Sequence, residues 1–311
     1  MNATIDMYAH CTIEMTPSTS GVTFYAQDLD EEYHSSLTGL LPLEGSLCLH
    51  KAVYNRVIAE YNNGEPLSVK VYTHCDAPPG SGLGSSSTMV VTMISAYQKL
   101  LNLPLGEYDI ARLAYDIERV DCQLSGGKQD QYATTFGGFN FMEFYDENRV
   151  LVNPLRIRRS ILNELESQLL LYFTGVSRSS AKIIDDQVKT TSGNTEKPLQ
   201  AMHDVKQLAF EMKERLLHSD IPGMSQLFHD SWIAKKATSP SISTPLIEQI
   251  EDRAMSAGAK SLKISGAGGG GFMMLFVDPL KRLAVEAALD DLDGEIHPFK
   301  FTQEGTQSWK V

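Results

Sequence analysis

The segment Asp76-Ala77-Pro78-Pro79-Gly80-Ser81-Gly82-Leu83-Gly84-Ser85-Ser86-Ser87 combines three glycines with a run of three serines. It lies between an alternating stretch, Leu67 to Tyr72, and a helical pattern that begins near Thr88. Glycine lets a backbone come close to a bound group, and serine is favoured where helices start. The start of a helix carries unpaired N–H groups and the positive end of the helix dipole. The turn is therefore suited to an anion, with phosphate the foremost candidate. A flexible surface turn is the plainer interpretation, but such turns seldom lead straight from a strand into a long amphipathic helix. No Gly-Lys-Ser/Thr follows the glycines, so this is not a Walker A loop.

Two further segments carry unusual residues. Ser265-Gly266-Ala267-Gly268-Gly269-Gly270-Gly271-Phe272 contains a GxGxxG spacing. The dinucleotide fingerprint needs a helix after the glycines, whereas Phe272 to Val277 reads as a strand. A close-packed turn whose backbone presses on a neighbouring loop or a ligand fits better. In Ser125-Gly126-Gly127-Lys128-Gln129-Asp130-Gln131-Tyr132, Asp130 is by itself an ordinary turn or cap residue. It gains interest because a hydroxyl nucleophile near a phosphate site needs a base. Glu118 flanks the apolar stripe Ile110, Leu113, Ala114 and Ile117. It reads equally as a magnesium ligand or as a charge at a helix flank.

The elements that position these segments follow from periodicity. Thr4 to Glu14, Val22 to Gln27 and Leu67 to Tyr72 read as strands, with helices from about Thr88 and Gly106. Gln168 to Phe173 is a strand, Lys189 to Lys197 an exposed polar loop, and Pro198 to Leu217 a long helix. The remainder reads helix (Pro245 to Gly258), strand (Lys260 to Ser265), glycine loop, strand (Phe272 to Val277), helix (Lys281 to Leu292) and strand (Glu295 to Phe301). That order implies an α+β layer with helices on one face of a small sheet. A soft domain boundary is expected near Arg158 to Leu165.

With 311 residues the chain can bury two substantial cores or one large one. Its net charge of -12 excludes broad electrostatic attraction to nucleic acid or anionic lipid, but not a phosphorylated small molecule. No apolar run approaches the roughly 20 residues that span a bilayer. The first residues lack the basic and apolar character of a secretory signal, so a cytoplasmic location is expected. Four scattered cysteines form no CxxC pair, which argues against a disulfide framework or a zinc site. His10-Cys11 and His74-Cys75 are neighbours on strands and point to opposite faces.

In this order, the segments resemble the GHMP kinase family, named for galactokinase, homoserine, mevalonate and phosphomevalonate kinases. Pro78 to Ser87 is similar to its phosphate-binding motif, and Lys263 to Phe272 to its C-terminal glycine motif. The branch of sugar kinases acting on D-glycero-D-manno-heptose 7-phosphate is more similar still. The shared text is Asn2 to Ile5, Ser125 to Ala133, Phe136 to Asn140, Tyr172 to Gly175 and Ser177 to Ser180.

The resemblance implies a two-domain α+β fold, with an N-terminal domain like ribosomal protein S5 domain 2 over residues 1–160 and a ferredoxin-like domain over 161–311. It implies ATP-dependent phosphorylation of the anomeric hydroxyl of a heptose 7-phosphate. The 1,7-bisphosphate would feed nucleotide-heptose and surface-glycan synthesis. It implies that Pro79, Gly80, Ser81, Gly82, Leu83, Gly84, Ser85, Ser86 and Ser87, with Gly268 and Gly269, hold ATP. Ser86 and Glu118 would hold Mg²⁺, and Asp130 would act as base or orienting group. Lys128 and Arg178 are candidates for the sugar phosphate on charge and position. The implied partners are the sugar phosphate and ATP, with neither nucleic acid nor membrane; a homodimer is compatible with the sequence.

Family members begin with a strand and a segment like Pro-Leu-Arg-x-x-Leu-x-Gly-Gly-Gly-x-Asp, which does not precede Met1-Asn2-Ala3-Thr4-Ile5 here. Either the natural protein starts upstream, the favoured expectation, or this is a shortened form with impaired activity. Two other activities stay open: a GHMP kinase for another sugar, such as fucose, and a catalytically silent nucleotide- or sugar-binding module.

Overall fold

The computed structural model describes the chain except for residues 19, 37–38, 177–179 and 193–195. The chain forms two compact units, each discontinuous in sequence. One comprises Met7–Pro78, Gly84–Gly137 and Gln303–Val311; the other comprises Met1–Asp6, Pro79–Leu83 and Gly138–Thr302. Among the described residues, no helix is long and apolar enough to cross a membrane.

The first of these units is built on a four-stranded sheet in the order Ala9–Met15, Val69–Cys75, Val22–Ala26, Glu31–Ser35. The two central strands run parallel, and the outer pairings are antiparallel. Val69, Val71 and Thr73 alternate inward, as a half-buried strand requires. Helices Cys48–Tyr61 and Ser85–Leu101 bury Val53, Val57, Ile58, Val90, Val91 and Ile94 in one core with Phe24 and Val69. Helix Glu107–Asp116 adds Ile110, Leu113 and Ala114 to that core, which is the stripe expected from the sequence. The last residues of the chain also belong here: Thr306 donates its N–H to Thr134 O at 3.0 Å, and Gly305 lies so close that a Cβ would meet Thr135 O at 2.0 Å.

The other unit contains a four-stranded antiparallel sheet in the order Glu295–His297, Leu169–Phe173, Phe272–Val277, Ala259–Ile264. Helices on one face were expected. The central strand instead sends Met273, Leu275 and Val277 into a core with Trp232, Ile250 and Val285, and Phe276 into a second core with Leu165, Leu216 and Phe228. Successive side chains of a strand face opposite ways, so both faces are covered. A three-stranded sheet, Asn2–Ala3, Phe139–Phe144 and Val150–Pro154, completes the unit.

Two local readings differ from the structure. Of the strand expected over Thr4 to Glu14, only the part from Ala9 forms, as Ala9–Met15; a separate short strand, Asn2–Ala3, precedes it, and the chain passes from one unit to the other between Asp6 and Met7. The stretch expected as a polar loop, Lys189 to Lys197, is largely helical, in Ser180–Ser192 and Glu196–Leu217, with 193–195 outside the described residues. Polar composition marks a solvated surface, which a helix face satisfies as well as a loop does. Residues 158–165 lie at and within helix Arg159–Gln168.

Candidate active site

The helix after the glycine-serine turn starts at Ser85, and Gly84 precedes it in the left-handed region at φ 76°. Glycine adopts that conformation without steric cost, so the chain can turn sharply into the helix. Thr88 N–H closes the first helical bond on Gly84 O at 2.9 Å, which leaves the N–H groups of Ser85 to Ser87 ahead of the ladder. Gly84 is required for a second reason. A Cβ there would lie 2.9 Å from Asp130 Cγ and 3.1 Å from Asp130 Oδ2. The carboxyl of Asp130, in the first turn of helix Gln129–Phe136, thus rests against the last glycine of the turn.

Glu118 sits in the π-helical turn Ile117–Asp121 that continues helix Glu107–Asp116. Single π turns re-aim side chains and recur at functional sites. Here the turn delivers a carboxylate that is only 1% exposed. Ser87 Oγ donates to Glu118 Oε2 at 2.8 Å, Ser86 Oγ to Oε1 at 3.4 Å, and Gln131 Nε2 to Oε2. Gln131, fully buried, also donates to Ser87 Oγ at 3.1 Å. The Arg119 guanidinium lies 4.0 Å from Glu118 Oε1 and donates to Gly127 O at 3.2 Å and Leu124 O at 3.2 Å. This accounts for Gly126, where a Cβ would meet Arg119 Nη2 at 2.4 Å. The Ser125-Gly126-Gly127 loop is wrapped around a guanidinium.

These neighbours set the electrostatics. Burial, and then the charge of Glu118, raise the Asp130 carboxyl above the usual aspartate value, with Arg119 pulling the other way. A less acidic carboxylate is a stronger proton acceptor, which suits it to a hydroxyl nucleophile. Ser86 Oγ and Glu118 Oε1 form a pair of hard oxygen donors at a helix start. Among the described residues there is no cluster of three His, Cys, Asp or Glu side chains suited to a metal. The donor pair fits Mg²⁺, which characteristically binds through one or two carboxylates plus phosphates and water.

The other half of the turn, Pro79–Leu83, belongs to the second unit, where the C-terminal glycine loop meets it. Phe272 N–H donates to Ser81 O at 2.8 Å. A Cβ at Gly271 would reach Ser81 O at 2.2 Å, and one at Gly266 would reach Gly82 O at 2.7 Å. The two backbones come into direct contact because Gly266 and Gly271 bring no Cβ to the crossing. The hydroxyl of Ser81 is completely buried and has no partner among the described residues, a donor on the loop suited to an anion.

Gly268 packs against Ile242, and Gly269 gives its N–H to Ile242 O at 2.8 Å. Lys128 immediately precedes the Asp130 helix, with Nζ 5.0 Å from the centre of the Tyr115 ring. Arg178 lies outside the described residues. Sequence reading missed Gln131 and Arg119. Gln131 adjoins Asp130, but a buried glutamine leaves no periodic trace. Arg119 looks like any helix-flank cation until the glycines are seen to enclose it.

Residues 49–138 match the N-terminal domain of GHMP kinases, and residues 212–292 match the GHMP kinase C-terminal region. The chain is 46% identical to D-glycero-alpha-D-manno-heptose 7-phosphate kinase of Campylobacter jejuni, covering 100% of this chain and 91% of that protein. A solved structure of a D-glycero-D-manno-heptose 1-phosphate kinase from Bacteroides thetaiotaomicron superposes with a TM-score of 0.83 at 41% identity, covering 99% of this chain and 89% of the other. A mevalonate kinase structure shares the fold with a TM-score of 0.75 at 20% identity, covering 97% and 92%. The anion-suited turn, the glycine loop crossing it and these full-length similarities converge: the chain belongs to the GHMP kinase family, and is an ATP-dependent phosphotransferase.

Proposed function

We propose that the protein transfers the γ-phosphoryl group of ATP to the anomeric hydroxyl of D-glycero-D-manno-heptose 7-phosphate. The product is the 1,7-bisphosphate, a precursor for nucleotide-heptose and surface-glycan synthesis. The names of both similar heptose kinases specify a heptose phosphate. We take the 7-phosphate as acceptor because its anomeric hydroxyl is free. A cytoplasmic location accompanies this reading, since ATP is supplied there. The modular division into residues 1–160 and 161–311 accompanies it too; the two family matches lie on either side.

The observation that carries the proposal is the contact of Asp130 with Gly84, which sets a carboxylate of raised pKa against the phosphate turn. In this reading, main-chain N–H groups between Gly80 and Ser87 hold the ATP phosphates, and the buried Ser81 hydroxyl finds its partner there. Ser86 and Glu118 hold Mg²⁺, which supplies charge neutralisation for the transferred group. Ser87 and Gln131 fix the Glu118 carboxylate so that one oxygen keeps its aim. Asp130 orients the sugar hydroxyl and accepts its proton. Gly268 and Gly269 support the nucleotide site through the glycine loop's shape, and Lys128 and Arg178 take the 7-phosphate. Phosphoryl transfer depends mainly on alignment and charge stabilisation, so a Mg²⁺ site and one placed carboxylate form the minimum this reading requires.

Asp130→Asn tests the assignment. Turnover with ATP, Mg²⁺ and heptose 7-phosphate is expected to fall by about 10² to 10⁴-fold with ADP affinity retained. ³¹P NMR of the parent's product should show a new anomeric phosphate. The variant should also melt higher than the parent, because a carboxyl whose folded pKa is raised opposes folding once ionised. An Asp130→Asn enzyme as fast as the parent would remove Asp130 from the chemistry, and nucleotide binding without any bisphosphate would favour the silent binding module.

A further inference from the structure

The glycine loop that crosses the phosphate turn begins with Ser265, whose N–H is tied to Phe272 O at 2.8 Å, and then runs on through Gly266, which has no side chain. Its far end is tied by backbone: Gly271 N–H to Val176 O at 2.9 Å, and Thr174 N–H to Gly271 O at 3.0 Å. At the near end one side chain arrives from helix Ile221–Lys236. Lys235 Nζ donates to Gly266 O and, at 3.4 Å, to Ile264 O. Its neighbour Lys236 pairs with Glu251 at 3.1 Å, whereas no carboxylate pairs with Lys235 among the described residues. The ammonium is directed at carbonyls.

We propose that Lys235 is a positioning residue for the nucleotide: by holding the Gly266 carbonyl it holds Gly266 against Gly82, and so fixes the turn that receives the phosphates. Gly82 and Gly266 are mutually locked, since a Cβ on Gly82 would meet Ser265 O at 2.9 Å and one on Gly266 would meet Gly82 Cα at 2.8 Å. A shift of the Ser265–Gly266 peptide towards the turn must displace Gly82. Glycines have wide conformational freedom, and a charged donor is the strongest type of hydrogen-bond anchor available to such a backbone. A stability role explains the residue poorly, because a half-buried cation facing carbonyls without an anion gains little over an apolar chain of similar size.

Burial, and then the charge of Lys263, push Lys235 down to about 7. Lys263, on the adjacent strand Ala259–Ile264, is itself lowered to about 8 by burial and donates to Ser231 Oγ at 3.3 Å. Glu251 is taken up by Lys236 and by the Trp232 Nε1–H at 2.9 Å, and His229 and Asp230 line a groove with Lys197 and Asp204. Deprotonation of Lys235 is therefore expected as pH rises through about 7, which weakens the hold.

The inference rests on the reading that residues 80–87 hold the nucleotide, so the test uses ADP with Mg²⁺ in titration calorimetry, which does not depend on the sugar. Lys235→Met should bind ADP at least fivefold more weakly than the parent at pH 6.5 and within twofold at pH 8.5, with an equal or higher melting temperature. Lys235→Arg keeps its charge throughout and should bind more tightly relative to the parent at pH 8.5 than at 6.5. These ratios cancel the nucleotide's own titration. Lys235→Met binding within twofold of the parent at pH 6.5 overturns the inference. If that variant does not fold, a parent-to-Arg ratio that is flat with pH overturns it equally. Gly84→Ala binding ADP like the parent would remove the turn reading and this inference together. Weakened Gly84→Ala beside an unaffected Lys235→Met would remove Lys235 alone.

Discussion

Glu118 is the best-held carboxylate of the candidate site. Its near-complete burial would be unfavourable without the donors from Ser87, Gln131 and Ser86. Gln131 matters twice, because it also fixes the hydroxyl of Ser87 that points at the same oxygen. Gln131→Leu should lower stability by about 1–3 kcal/mol, the usual cost of leaving a buried acceptor short of a donor. It should also raise the Mg²⁺ concentration needed for half-maximal turnover, because the carboxylate loses its fixed aim. Urea unfolding and a Mg²⁺ titration check the two effects. A variant with parental stability and parental Mg²⁺ demand would show that Gln131 does not hold Glu118.

At the scale of elements, the crossing of two glycine-bearing loops decides what shape the glycine-serine turn can take. Gly271 has φ 86° and leaves no room for a Cβ beside Ser81 O. Gly271→Ala meets both obstacles, strain in the left-handed region and a clash with backbone that cannot rotate away. The expected loss is about 2 kcal/mol or more, read from thermal or urea unfolding. ADP affinity should fall with it, because the Phe272 N–H to Ser81 O bond is the next contact along the chain. A control at Gly127, where a Cβ meets nothing within 4 Å, should cost little. Equal stability of the Gly127 and Gly271 variants would contradict the packing described.

For the whole molecule, net charge of -12 governs solubility and long-range attraction, while pH sensitivity is set by particular buried groups. His50 is one of them. It joins helix Cys48–Tyr61 to strand Val69–Cys75 through Nε2 and Thr73 Oγ1 at 2.8 Å, and burial lowers its pKa to about 4. Between about pH 6.5 and pH 4 the unfolded chain takes up a proton at His50 that the folded protein refuses. Its contribution is thus intact above pH 6.5 and declines as pH falls, by about 3 kcal/mol at pH 4. Urea unfolding at pH 7 and pH 4.5 should show a smaller acid loss in His50→Gln than in the parent. Parallel losses would assign the acid sensitivity to other groups.

Much of the site was legible in the sequence because it depends on local backbone demands. Glycines at 80, 82 and 84 followed by three serines can be read as a turn into a helix start, whatever surrounds them. The glycine loop's close packing follows equally from its lack of side chains. The strand Phe272 to Val277 and the stripe Ile110 to Ile117 announce themselves by period. Local preference does not determine which distant groups share a buried space. Ser87 and Glu118 are 31 residues apart, and Thr134 and Thr306 are far more widely separated along the chain. Their pairing, the enclosure of Arg119, the shortening of the first expected strand and the covering of both sheet faces were decided by packing. Each depends on burying apolar surface while every buried polar atom seeks a partner, a condition that only the complete fold can satisfy.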